Sequence, residues 1–204
     1  MSRPYGVPPI NPEGSYGLAK KFHPIPISER LIGYKTAMQL QILQATTPAH
    51  MQVARALFNE YAASLNFNLC FQNFEKELAS LPGDYAPPEG RLLLAFWQRV
   101  PVGCGALHKF LPDKAAHEND RTVCEMKRLY VKPGHRGHRI GLALAERLIR
   151  EARETGYRRM LLDTIPESMA TAVKMYRRLG FREIVSYRQN PVPGAIFMEL
   201  DLQN

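Results

Sequence analysis

The chain has 204 residues, 45% of them hydrophobic and 23% charged, with a formal net charge of +8. These proportions are those of a soluble globular protein, one domain plus an extension. They exclude a helical membrane protein, because no apolar run approaches the roughly 20 residues that cross a bilayer. Cys70, Cys104 and Cys124 are odd in number, far apart and form no C-x-x-C. Neither a disulfide framework nor a metal site is expected from them, and a reducing cytoplasm is the simplest compartment.

Residues 1–36 carry prolines at positions 4, 8, 9, 12, 24 and 26, which disfavour helix and central strand. This stretch reads as a Pro/Gly-rich N-terminal arm, with no apolar secretory core, ahead of a single domain over 37–204. Leu40 to Ala45 reads as a first strand. Thr47-Pro48 has the form of a helix cap with proline at the first position. Ala49 to Leu65 follows as a helix with Val53, Ala56, Leu57, Tyr61 and Leu65 on one face. Phe71 to Leu81 is a second, shorter helix ended by Pro82-Gly83. Arg91 to Gln98 and Val102 to Phe110 form a hairpin. Gly103 and Gly105 weaken its second strand locally or admit close packing. His108 and Cys104 share a face of that strand and read as core and rim rather than a catalytic pair.

Val123 to Val131 is an apolar strand stopped by Pro133-Gly134. A basic loop follows, His135-Arg136-Gly137-His138-Arg139. Ile140, Leu142, Leu144, Leu148 and Ile149 then recur at near-helical spacing, and Gly156 closes the helix. Strand, basic glycine-containing turn and helix together make an anion site. Backbone N–H groups at a helix start point outward, the helix dipole adds positive charge, and glycines admit close approach. The chemistry suits a diphosphate. No G-x-x-x-x-G-K-[ST] or G-x-G-x-x-G run is present, which disfavours a nucleoside triphosphatase or a dinucleotide site. Arg159 to Thr164 is a further strand, and a helix spans about Glu167 to Leu179. Phe181 to Tyr187 and Ala195 to Leu202 are the last strands. The order gives an α/β fold with a mixed central sheet of about seven strands and helices on both faces.

The run Arg136-x-x-x-x-Gly141 after Leu129-Tyr130-Val131 resembles the acetyl-CoA loop [QR]-x-x-G-x-[GA] of the GNAT superfamily of N-acetyltransferases. Arg139 stands where the pattern has its middle glycine. Met169 to Phe181, MATAVKMYRRLGF, is similar to that family's N-x-x-A-x-x-x-Y-x-x-x-G-F, with Ala172, Tyr176, Gly180 and Phe181 matching and Met169 at the Asn position. The resemblance covers roughly Leu40 to Leu202. It implies the GNAT acyl-CoA fold, in which the fourth and fifth strands part and the cofactor enters the gap. It implies acetyl-CoA as co-substrate, held by Leu129, Tyr130, Val131, Arg136, Gly137, His138, Arg139, Ile140, Gly141, Met169 and Ala172.

The same resemblance implies direct transfer of the acetyl group to a primary amine. Tyr176 would donate to the leaving thiolate, as a phenol of pKa about 10 suits a thiol of about 8–9. Glu125 would be the general base, directly or through water, unless it is a strand-end carboxylate paired with Lys127 or Arg128. Asp163 is the alternative base. Phe67, Asn68, Phe71 and Gln72 would flank the acceptor. The basic balance points away from polycations and toward a small amine carrying a carboxylate. Two other functions stay open: a catalytically degenerate CoA-binding module and, on charge alone, a nucleic-acid-binding protein, disfavoured because no binding motif accompanies the charge. No membrane partner is expected, and the chain would act as a monomer or homodimer.

Overall fold

The computed structural model describes residues 40–67, 69, 73–111 and 122–203. The expected arm over 1–36, the candidates Asn68, Phe71 and Gln72, and Cys70 lie outside the described residues. The elements run β1 (Leu40–Gln44), α1 (Pro48–Ala63), α2 (Phe74–Ser80), β2 (Arg91–Trp97), β3 (Val100–Lys109), β4 (Val123–Val131), α3 (Ile140–Thr155), β5 (Arg159–Thr164), α4 (Pro166–Arg178), β6 (Arg182–Ile184) and β7 (Ile196–Asp201). Their order is the one the sequence predicts. Thr47 does cap α1, its hydroxyl accepting the His50 N–H at 3.1 Å with Pro48 at the first position. The strand expected over Phe181 to Tyr187 shortens to Arg182–Ile184. Phe181 is buried in the core instead, and Tyr187 turns to hydrogen-bond the interior.

The seven strands lie in the order β1-β2-β3-β4-β5-β7-β6. All neighbours are antiparallel except β4 and β5. Alternation along the strands builds a core on each face of the sheet. On β2, Leu93 and Ala95 join the core under α3 and α4, which holds Leu144, Leu148 and Tyr176. Leu92 and Leu94 join the core under α1, which holds Leu57 and Phe58.

The alternation breaks once on β4. Cys104 pairs with Tyr130 and Ala106 with Lys127, so Arg128 and Leu129 both stand opposite Gly105. This is a β-bulge, with Arg128 in the left-handed region at φ 56°. Side-chain parity slips there by one residue. Cys124 and Met126 face the α3 core, and so do Leu129 and Val131, while Tyr130 enters the α1 core. The two glycines of β3 make room for this. A Cβ at Gly103 would lie 2.7 Å from the Tyr130 carbonyl oxygen, and one at Gly105 would lie 3.0 Å from Leu148.

Gly103→Ala therefore forces the β3–β4 backbones apart and should lower unfolding free energy by about 1–3 kcal/mol. Gly141→Ala, whose Cβ would meet Val131 at an ordinary 3.7 Å, should change it by about 0.5 kcal/mol or less. Urea denaturation of the two variants checks the contrast.

Candidate active site

Strands β4 and β5 pair only over Val123–Glu125 and Arg159–Leu161. Beyond that they part, and a cavity of about 840 Å³ opens in the fork. Met126, Lys127 and Leu129 line it from β4, and Leu162, Asp163 and Thr164 from β5. This is the parting of the fourth and fifth strands that the family resemblance implies.

One end of the cavity is the basic loop. Arg136, Gly137, Arg139, Ile140 and Gly141 all line it, as do Tyr130 and Val131 at the end of β4. Pro133–His135 forms a short 3-10 turn that swings the chain from strand to helix. Arg136 then folds back, its Nε donating to the Val131 carbonyl at 3.1 Å. Arg139 sits at the helix cap with φ 58° and ψ 14°. That left-handed conformation is the one glycine adopts freely, which explains why the family pattern has glycine there. Arg139 adopts the same backbone, so the turn keeps its shape. No acidic residue occupies the first turn of α3. The loop thus offers arginines and helix-start N–H groups with no carboxylate to oppose an anion, which fits the diphosphate of a CoA thioester. His138 departs from expectation. It does not line the cavity; its Nδ1 lies 3.3 Å and 3.2 Å from the carbonyl oxygens of His135 and Arg136, and its ring packs on Trp97.

The bulge faces the middle of the cavity. Arg128 is buried, and its guanidinium points to α2, where Nε and Nη2 reach the two oxygens of Glu77 at 2.8 and 2.5 Å. Tyr85 donates to the same Glu77 at 2.8 Å, and the guanidinium lies over the Phe74 ring. Burial opposes the Arg128 charge, but the Glu77 hydrogen bond outweighs it and raises the pKa. Left-handed backbone costs a non-glycine residue about 1–2 kcal/mol, and this two-pronged ion pair offsets it.

From α4, Met169, Ala172 and Tyr176 line the opposite wall. The helix is broken at Met169, with φ −125° and ψ 31°, so its first turn bends away from the rest. Tyr176 is buried against Phe181. Burial raises its pKa above the ordinary phenol value, with Tyr61 and Asp163 adding to the effect. Tyr61, on α1, is pushed up to about 12 by burial, with Arg128 opposing. Both phenols are protonated at neutral pH.

The far end holds the charges. Asp163 accepts from Asn190 at 2.8 Å, and both line the cavity with Lys127 and Phe67. Lys127 lies 3.8 Å from Asp163 and 3.8 Å from Glu125. Burial lowers the Lys127 pKa, against the pull of both carboxylates.

Glu125 itself is fully buried and does not line the cavity. Tyr187 donates to Oε1 at 2.9 Å, His108 Nε2 lies 3.1 Å from Oε2, and the Arg188 guanidinium also meets Oε2. Burial would raise its pKa, but Lys127, His108 and Arg188 prevail and hold the carboxyl well below the usual range. Glu125, the expected general base, is thus held by its partners outside the cavity lining, whereas Asp163, the alternative, lines the cavity. Sequence reasoning singled out Glu125 by its strand position. It counted Lys127 only among the basic residues near the loop and as a partner for Glu125, and it gave no weight to Asn190, whose contact crosses the fork.

A sequence profile of the Acetyltransferase (GNAT) family matches residues 51–181. An uncharacterized N-acetyltransferase of Schizosaccharomyces pombe is 33% identical over 80% of this chain and 95% of its own. An IAA acetyltransferase of Azospirillum brasilense is 36% identical over 57% of this chain and 71% of its own. Among solved structures, a Salmonella typhimurium acetyltransferase with its cofactor acetyl-CoA superposes with a TM-score of 0.58, at 21% identity, over 80% of this chain and 94% of that one. Fork, loop and matches agree: the chain belongs to the GNAT family and is an N-acetyltransferase.

Glu77→Gln leaves the buried Arg128 charge without its counter-charge. The expected loss is about 3 kcal/mol of stability, read as a lower urea midpoint. Glu77→Asp, which keeps the charge, should recover part of it.

Proposed function

We propose that the protein moves the acetyl group of acetyl-CoA directly to the primary amine of a small acceptor carrying its own carboxylate. The observation that supports this most is that one cavity is lined together by the anion loop, the strand bulge, Tyr176, Asp163, Asn190 and Lys127. Arg136, Arg139 and the first turn of α3 hold the pyrophosphate, with Gly137 and Gly141 giving it access. Backbone N–H groups near Leu129 and Val131 hold the thioester as charge develops on its oxygen. Tyr176 donates a hydrogen bond to the departing thiolate; its raised pKa keeps it a donor across the working pH range.

Asp163 takes the proton of the attacking amine, directly or through water. It has the access to the cavity that Glu125 lacks. Lys127 meets the acceptor carboxylate. Cys104 and Cys124 are buried free thiols, which suits a reducing cytoplasm. No helix among the described residues is long and apolar enough to cross a membrane.

A thiol-release assay with acetyl-CoA tests this. Free amino acids should release CoA faster than the same molecules lacking the carboxylate, and Lys127→Met should abolish the preference. Tyr176→Phe should lower turnover by about 10²-fold while acetyl-CoA affinity, measured by calorimetry, stays within a few-fold. CoA binding without thiol release for any amine would leave a binding module in place of an enzyme.

A further inference from the structure

A fully buried carboxylate off the reaction path needs a reason, and its partners supply one. Three elements face Glu125: β3 with His108, β4 with Lys127, and the segment between β6 and β7 with Tyr187 and Arg188. Asp163 of β5 stands beyond Lys127. That segment has little sheet to hold it. β6 has three residues, and Val185 just after it is 87% exposed. Its order comes from side chains. Tyr187 packs edge-on between Phe110 and Phe197, with centroids at 5.1 and 5.0 Å. The Arg188 guanidinium lies over Phe110 and over Tyr187. Two residues further on, Asn190 donates to Asp163 and accepts the Val192 N–H at 2.9 Å. The chain from Tyr187 to Val192 is thus pinned twice, first on Glu125 and then on Asp163, and its second pin forms part of the cavity wall.

We propose that Glu125 is a positioning residue: it pins the segment Tyr187–Val192 across the acceptor end of the cavity, and that segment selects the acceptor. The proposal rests on the acetyl-transfer reading for its kinetic consequence only. Removing the Glu125 charge frees Tyr187 and Arg188, lets Asn190 leave Asp163, and opens the acceptor end. The CoA loop, at the other end of the cavity, is untouched. The carboxyl is held below the usual range, so the pin contributes fully above the unfolded carboxyl pKa. It is lost only as pH falls through the still lower folded value. It therefore does not titrate in the range where the amine does.

The test compares wild type with Glu125→Gln, using the free amino acid that wild type acetylates fastest. Acetyl-CoA affinity by calorimetry should stay within about 2-fold, while acceptor KM rises about 10- to 100-fold, the range for a displaced positioning contact. The pH–rate profiles from pH 6 to 9 should be parallel, and trypsin should cut after Arg188 at least ten times faster in the variant. A profile that loses its rising limb, with acceptor KM unchanged, would make Glu125 the base and overturn the proposal. Unchanged trypsin cleavage would overturn it as well. Arg188→Gln removes the same pin from the other side and serves, by its acceptor KM alone because it also removes the trypsin site, if Glu125→Gln does not fold. The double variant should be no worse than the more affected single one, since both break one contact; multiplied effects would contradict the pin. If wild type acetylates no amine, the acetyl-transfer reading fails, and trypsin still reports on the pin.

Discussion

The ion pair between Arg128 and Glu77 holds the one irregularity from which the site is built. Were Arg128 to occupy a regular place in the ladder, β4 would alternate without interruption, and everything after Lys127 would turn over. Leu129 and Val131 would leave the α3 core, and Tyr130 would enter it. With the bulge, Lys127 and Arg128 both project toward α1 and α2, and Tyr130 packs on Tyr61. The bulge breaks the β3–β4 ladder where the cavity passes. Backbone groups that a regular strand would spend on its neighbour are thereby left for another purpose. Glu77 ties this point of β4 to α2 through both of its carboxylate oxygens.

A second set of contacts fixes the fork. Glu125 is the last β4 residue paired to β5. Just past it, Lys127 reaches both Glu125 and Asp163, and Asn190 covers Asp163. The charges are nearly balanced, which is why they tolerate burial. Their arrangement sets a divide along β4. Glu125 faces inward and serves the architecture, while Lys127, two residues on, faces the cavity. The same strand supplies a structural carboxylate and a candidate recognition cation within one turn of the pleat.

Much of this was legible in the sequence. The hydrophobic periods and the Pro133-Gly134 stop gave the strand, loop and helix in order, and the Tyr176-to-Phe181 pattern gave the opposite wall. The bulge also left a trace. Met126 and Leu129 are both apolar and three apart, a spacing that a regular strand cannot place on one face. Of the cage around Glu125, only the neighbouring Lys127 left one. The other partners, His108, Tyr187 and Arg188, lie 17, 62 and 63 residues away, and a strand pattern carries no information about such separations. Nor could Arg136-to-Gly141 reveal that His138 turns back on its own loop, since that depends on Trp97 from another strand.

The account stands on acetyl-CoA lying in the fork, with its pyrophosphate on the loop and its thioester at the bulge. Amide hydrogen exchange with and without acetyl-CoA tests this most directly. Protection should rise at the N–H groups of residues 129–131 and 137–142 together, and stay unchanged at Tyr187 and Arg188. Protection confined to the loop, or appearing on the β1–β3 side of the sheet, would contradict it.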